Sequence, residues 1–431
     1  MWQVQVLTLD NGMKLYCHPT GASVHVSGIG LRAGSIYDPP GMVGMAHYVE
    51  HVISRTSLRH PDGRANDLLF REYMGGPDGD INIRTDRSSV FYGHGDLLRT
   101  RYMEEVFDVM ASFVHSKTRM INLEGMEVEG AAIHNEYRLR GTDVAEMLLD
   151  DLMHEVMYTV NPARRRIDGE IADLKRITLK DMKRFLARYY VPKNAFAIIL
   201  GPDTEYAKVM VERHLKDWEG KSVPVLDYDH ADDFPQFASV RSRELAYRGI
   251  HQHHIGIGFP TEPATSDTSD AEVLDTIANI LELRLNWALR EGNRDFRKGC
   301  YRTPVYAERS FTHGMFWATF ATTSREFAAR AEETVLREYR RLATDLAPQE
   351  EVSAAVGAIR NQYLDAFWNV PLSLCEMIIG AATNGDEDLA KLHAYRGNLL
   401  KVSRKKIREV ANKYFGENYA RAAVRPASAG K

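Results

Sequence analysis

Two histidines and a glutamate stand close together in the stretch Gly44-Met45-Ala46-His47-Tyr48-Val49-Glu50-His51-Val52-Ile53. On an α-helix, which advances roughly 100° per residue, His47, Glu50 and His51 fall on one face about a turn apart. Neutral imidazoles at i and i+4 can hold one zinc ion, and a carboxylate just before the second His is placed to take a proton from an attacking water. Such a site needs a third protein ligand from elsewhere and an open fourth position. Five residues alone also suit an amphipathic helix with two surface histidines, so the decision lies downstream.

The order His-x-x-Glu-His inverts the commoner His-Glu-x-x-His and is the inverted-zincin signature. A third ligand should be an acid or His on a second long helix. In the helical pattern from Asn122 to Tyr158, Glu129 and Glu136 stand seven apart, two turns along one face. Glu124 and Glu127 share that acidic stretch and read first as a solvated face.

These residues must be carried by a folded frame, and length and composition bound it. At 431 residues, with 44% hydrophobic and 26% charged residues and a net charge of -4, the chain has room for two or three domains. The small acidic balance argues against nucleic acid or an anionic membrane as the main partner. The first residues have no basic segment followed by a long apolar one, and no run approaches the ~18 apolar residues of a spanning helix. Cys17, Cys300 and Cys375 are odd in number and far apart. They read as free thiols in a reducing compartment, and a cytoplasmic location is expected.

Two alternating runs, Gln3 to Leu9 and Lys14 to His18, flank the turn pair Asn11-Gly12, and a third follows from Ser23 to Leu31. They predict an antiparallel set of strands ahead of the metal helix. A loop from Arg59 to Arg64, a short helix to Tyr73 and a glycine-rich turn at 75–79 lead into the alternating run Asp80-Ile81-Asn82-Ile83-Arg84-Thr85. A helix is expected from Leu97 to Val114.

Further on, a helix begins at Thr178, ends at Tyr189-Tyr190, and gives way after Pro192-Lys193-Asn194 to the strand Ala195 to Leu200. Near the C-terminus a helix begins at Ser403, ends at Tyr414-Phe415, and gives way after Gly416-Glu417-Asn418 to an apolar run. The chain is therefore expected to carry two copies of one domain. His254 to Phe259 and a helix from Asp270 to Arg290 stand in the second copy where Val24 to Leu31 and the metal helix stand in the first, without the motif. The expected domains are 1–219, carrying the metal motif, a proline-containing acidic linker at 220–238, and 239–431. His251, His253 and His254 have no acid or Cys nearby and read as ordinary strand residues.

The motif, the paired glutamates some 80 residues later, the capped helix ending Tyr-x-Pro-x-Asn before an apolar strand, and the repeat together resemble the pitrilysin family of inverted-zincin metallopeptidases. Insulin-degrading enzymes, mitochondrial processing peptidases and shorter bacterial zinc peptidases belong to it. The resemblance covers essentially the whole chain. It implies an α+β fold of two homologous domains, each with a mainly antiparallel sheet packed against helices. It implies one Zn²⁺ per chain held by His47, His51 and Glu136, with Glu50 as general base and Glu129 as a supporting carboxylate. The 85-residue interval from His51 to Glu136 exceeds the family's usual one. An insertion between Arg59 and Asn66 would account for it; strict counting favours Glu127 or Glu129, and the three stay open as third ligand.

By the same resemblance, Asn82, Ile83, Arg84 and Thr85 form a substrate-binding edge strand to which a peptide adds through main-chain hydrogen bonds. Arg294 and Tyr301 are the matching second-domain pair, Tyr301 for the oxyanion and Arg294 for substrate backbone, with Arg290, Arg297 and Tyr306 as rivals. The implied activity is zinc-dependent endopeptidase cleavage of peptides or unfolded segments inside a closed chamber. A homodimer or a heterodimer with a related subunit would form that chamber, without nucleic acid or membrane. The alternative is a non-catalytic structural or substrate-presenting subunit of a peptidase-like heteromer.

Overall fold

The computed structural model describes residues 3–74, 81–97, 100–139, 143–221, 226–265, 270–291, 300 and 302–427. Eleven strands form two sheets among these residues. In the first sheet β1 (Gln5–Thr8), β2 (Lys14–Pro19), β3 (His25–Leu31), β4 (Ile81–Thr85), β5 (Val90–Leu97) and β6 (Ala195–Gly201) lie in the order β1-β2-β6-β3-β5-β4. In the second, β7 (Arg241–Tyr247), β8 (His253–Thr261), β9 (Val305–Arg309), β10 (Gly314–Thr322) and β11 (Ala420–Pro426) lie in the order β7-β11-β8-β10-β9.

The strand orders are those of one domain used twice. In each sheet the strand arriving last in sequence pairs parallel with the first shared strand (β6 on β2, β11 on β7) and antiparallel with the next (β3, β8). The remaining pairings are antiparallel. The fold is α+β, with two mainly antiparallel sheets and their helices. One expectation needs correction: β2 and β3 are not neighbours, because β6 enters between them. A buried strand of seven apolar or small residues gains backbone partners on both sides there, and local alternation cannot announce a partner so far along the chain.

Local chemistry explains why the long-range strands begin where they do. Thr178 and Asp181 form a reciprocal capping box, and Ser403 accepts from the Lys406 N–H at 3.2 Å. After each helix an asparagine fastens the chain as it turns into strand. The Asn194 amide donates to Arg32 and Tyr189 carbonyls at 2.9 and 2.8 Å, and the Asn418 amide to the Phe237 carbonyl at 2.8 Å.

The helices of the first part are α1 (Met45–Ile53), α2 (Gly63–Met74), α3 (Thr100–Val114), α4 (Leu123–Leu139) and α5 (Asp143–Met157). The described residues of the stretch expected as one helix from Asn122 to Tyr158 form α4 and α5, with 140–142 outside the described set, and the Arg59-to-Asn66 segment turns helical at Gly63. The two compact units are discontinuous along the chain. One comprises residues 1–138, 165–227 and 363–393; the other comprises 139–164, 228–362 and 394–431. The units do not follow contiguous stretches of chain, and α5 packs into the second unit. Leu149, Met153 and Met157 of α5 share a core with Met315, Trp317, Ala422 and Val424.

Cys17, Cys300 and Cys375 are buried free thiols. No single described helix is long and apolar enough to cross a membrane. The helices Gln349–Trp368 and Pro371–Thr383 reach that composition only as a pair bent by 104°.

Candidate metal centre

The metal helix is held from its N-terminus. Asp38 is buried and accepts from the Gly44 and Ala46 N–H groups at 2.7 and 2.8 Å, satisfying donors that a helix start leaves without intrahelical partners. Burial pushes its carboxyl up to about 7, against the opposing pull of the Ala46 and Gly44 N–H groups and of Arg165. Gly44 has φ +94°, and a Cβ there would stand 2.7 Å from the Gly169 Cα, so the entry to α1 requires glycine. Met45, Ala46, Val49 and Ile53 are fully buried, and α1 packs on β4, β5 and the helix Leu179–Tyr189.

That packing rules out the surface-histidine reading of the motif. His47 and Glu50 are each 7% exposed. The His47 and His51 Nε2 atoms stand 3.1 Å apart. Two tetrahedral ligands at the usual zinc–nitrogen length would be about 3.3 Å apart. Behind each ring is a carboxylate: Glu129 Oε2 lies 3.4 Å from His51 Nδ1, and Asp168 Oδ1 lies 3.7 Å from His47 Nδ1. A ligating His commonly turns its second nitrogen to such a partner, which orients the ring and leaves Nε2 for the metal. On donor type and spacing, these residues fit a zinc ion.

Glu129 is 7% exposed and also bonds Arg55 at 3.2 Å. Burial would raise its carboxyl, but His51 and Arg55 outweigh it and hold the group below its usual range. Glu129 therefore stands on the Nδ1 side of His51, behind the ring. Glu124 and Glu127 are exposed on α4. Glu136 lies two turns beyond Glu129 on the same helix, and its side chain is outside the described residues.

Among the described residues β4 is the edge strand of its sheet, hydrogen-bonded to β5. It carries Asn82, Ile83, Arg84 and Thr85; the Asn82 side chain lies outside the described residues. The Thr85 hydroxyl donates to Glu50 Oε2 at 3.0 Å, joining the edge strand to the candidate base. Arg84 is held by Asp86 at 3.1 Å and by a two-bonded pair with Glu376. Arg294 and Tyr301, with the rival Arg297, lie outside the described residues. Arg290 falls in the helical turn Trp287–Glu291, and Tyr306 is half-exposed on β9.

Sequence reasoning missed Asp38, Asp168 and Arg55. Asp38 had a local signal, an Asp ahead of Pro39-Pro40-Gly41 shortly before a helix. Asp168 reaches His47 only through tertiary contact, and nothing near it in sequence marks it.

Two family models match most of the chain. "Insulinase (Peptidase family M16)" matches residues 18–169 and "Peptidase M16 inactive domain" matches residues 176–359. The chain belongs to this metallopeptidase family. It is 23% identical over 295 residues to "Zinc protease PqqE" of Helicobacter pylori, covering 66% of this chain and 62% of that protein. It is 22% identical over 376 residues to "Mitochondrial-processing peptidase subunit beta" of Mus musculus, covering 84% of this chain and 72% of the relative. The chain thus spans less than two thirds of the Helicobacter relative. "The crystal structure of a protease from Helicobacter pylori" shares the fold at a TM-score of 0.85 with 17% identity, covering 99% of this chain and 100% of that one.

Proposed function

We propose that the chain is a zinc-dependent metalloendopeptidase acting on peptides or unfolded segments. The observation that carries this is the convergence of the two Nε2 atoms at 3.1 Å, each ring backed by a carboxylate, beside an acid tied to an edge strand. His47 and His51 would hold the ion, with Glu136 as the proposed third ligand. Zinc, when bound, supplies Lewis-acid polarisation of the scissile carbonyl and a more acidic water.

The chain's own residues do the rest. Glu50, positioned by Thr85, takes the proton from the attacking water and hands it to the leaving amine. The open side of β4 can accept an extended peptide as a further strand, which reads main chain first and suits unfolded segments. Glu129 and Asp168 keep the imidazoles turned toward the metal position. Arg294 and Tyr301 are proposed for substrate backbone and the developing oxyanion.

Pairing with a second copy or a related subunit is part of the proposal; one relative is itself named a subunit. The family's "inactive domain" description falls on 176–359, where the His-x-x-Glu-His motif does not occur. The non-catalytic alternative is separated by one comparison. The purified chain and Glu50→Gln are each given unstructured peptides with and without a chelator, with products read by mass spectrometry and zinc by elemental analysis. Chelator-sensitive cleavage, lost in E50Q while zinc is retained, is expected. Full activity in E50Q, or a wild-type chain that binds no zinc and cuts nothing, overturns it.

A further inference from the structure

A second group of metal-type donors lies in the other compact unit. His154 on α5, Glu308 on β9 and His313, in the turn between β9 and β10, bring three donor atoms within 4.8 Å of one another. Both histidine side chains are fully buried; that of Glu308 is 32% exposed. His154 Nε2 stands 3.1 Å from Glu308 Oε1, and His313 Nε2 stands 3.5 Å from the same oxygen.

The partners on the far side of the rings make this arrangement informative. His154 Nδ1 is 2.9 Å from the Asp150 carbonyl oxygen. A carbonyl only accepts, so Nδ1 carries the hydrogen, and the Nε2 of a neutral ring offers a lone pair. That lone pair faces a carboxylate oxygen at hydrogen-bond distance, and two acceptors so placed need a proton or a metal cation between them. His313 Nδ1 is likewise engaged, 2.9 Å from the Thr312 hydroxyl, leaving its Nε2 toward Glu308.

A proton on His154 would serve one of these approaches. The 3.5 Å separation at His313 is too long for a good hydrogen bond. Ligands of one zinc ion stand about 3.3 Å apart, close to both observed spacings. Each histidine has an outer partner on Nδ1, and the Asp150 carbonyl fixes the tautomer of His154. Glu308 also lines a cavity of about 1030 Å³, shared with Asp150, Tyr306 and Trp317, through which an ion could reach its carboxylate.

We propose that His154, Glu308 and His313 form a second divalent-metal site, suited to zinc or a similar transition ion, separate in sequence and in compact unit from His47 and His51. It fastens α5 to the β9-β10 hairpin of that sheet.

The test uses the full chain with the first site disabled, H47A/H51A, loaded with Co²⁺ or Zn²⁺ and freed of loose metal by dialysis. One retained equivalent per chain is expected, with visible d–d bands for cobalt, and a raised unfolding temperature that a chelator reverses. Adding H313Q should remove the retained metal. If H313Q does not fold by circular dichroism, E308Q, which keeps size and shape, decides in the same way. A folded H47A/H51A chain that retains no metal overturns the proposal, and so does retained metal that is indifferent to H313Q or E308Q.

Discussion

Replacing Thr85 by Val removes one hydroxyl while keeping the branched shape that suits β4. That hydroxyl donates to Glu50 Oε2 at 3.0 Å, and the two residues are 8% and 7% exposed. A hydrogen bond to a charged group contributes about 1.5–3 kcal/mol. If all of it serves to hold Glu50 for proton transfer, kcat/KM falls by roughly 10- to 150-fold, at about 1.4 kcal/mol per decade. Because Thr85 touches neither His47 nor His51 through this bond, zinc content should not change, and Thr85→Ser should recover most of the loss. The assay is kcat/KM on an unstructured peptide, with zinc by elemental analysis and stability by denaturant titration on the same samples. Wild-type kcat/KM in a folded, zinc-loaded Thr85→Val chain would refute the idea that the edge strand positions the base.

Glu129→Gln removes the charge behind His51, and zinc affinity should fall about 10- to 100-fold in chelator competition. Because the Glu129 carboxyl is held below its usual range, its contribution to stability is present above the unfolded carboxylate range and is lost as pH falls through its folded value; E129Q should lose less stability than wild type on acidification. Asp38 has the opposite sign. With a folded value of about 7 against an unfolded one near 4, the native state holds the extra proton between them, so its contribution is greatest at low pH and is lost as pH rises toward 7. Asp38→Asn should flatten that slope in unfolding midpoints measured from pH 5 to 8. Gly44→Ala, at φ +94° and with Gly169 Cα at 2.7 Å from the new Cβ, should destabilise by about 1–3 kcal/mol in denaturant titration; a wild-type midpoint would contradict the argument.

Much of the site was legible because its signals are local. His47, Glu50 and His51 share a helix face through spacing alone, and Thr178 and Ser403 announce their helices through chemistry confined to one turn. The repeat could be read from matching cap, aromatic end, break and strand. The insertion of β6 between β2 and β3 was not legible, since strand pairing across the chain leaves no trace in the alternation of either partner. That α4 and α5 belong to different compact units was hidden inside one continuous helical pattern.

The sequence by itself determined which residue types could bind a metal and take a proton, and that the domain occurs twice, because helix periodicity, caps and turn chemistry act over a few residues. Only the tertiary structure decided that His47 and Glu50 are buried, that Asp168 and Glu129 stand behind the two imidazoles, and that Thr85 reaches Glu50. It alone brings His154 to Glu308 and His313. Those relations depend on closing loops tens to hundreds of residues long, and their geometry follows from core packing that no local pattern encodes.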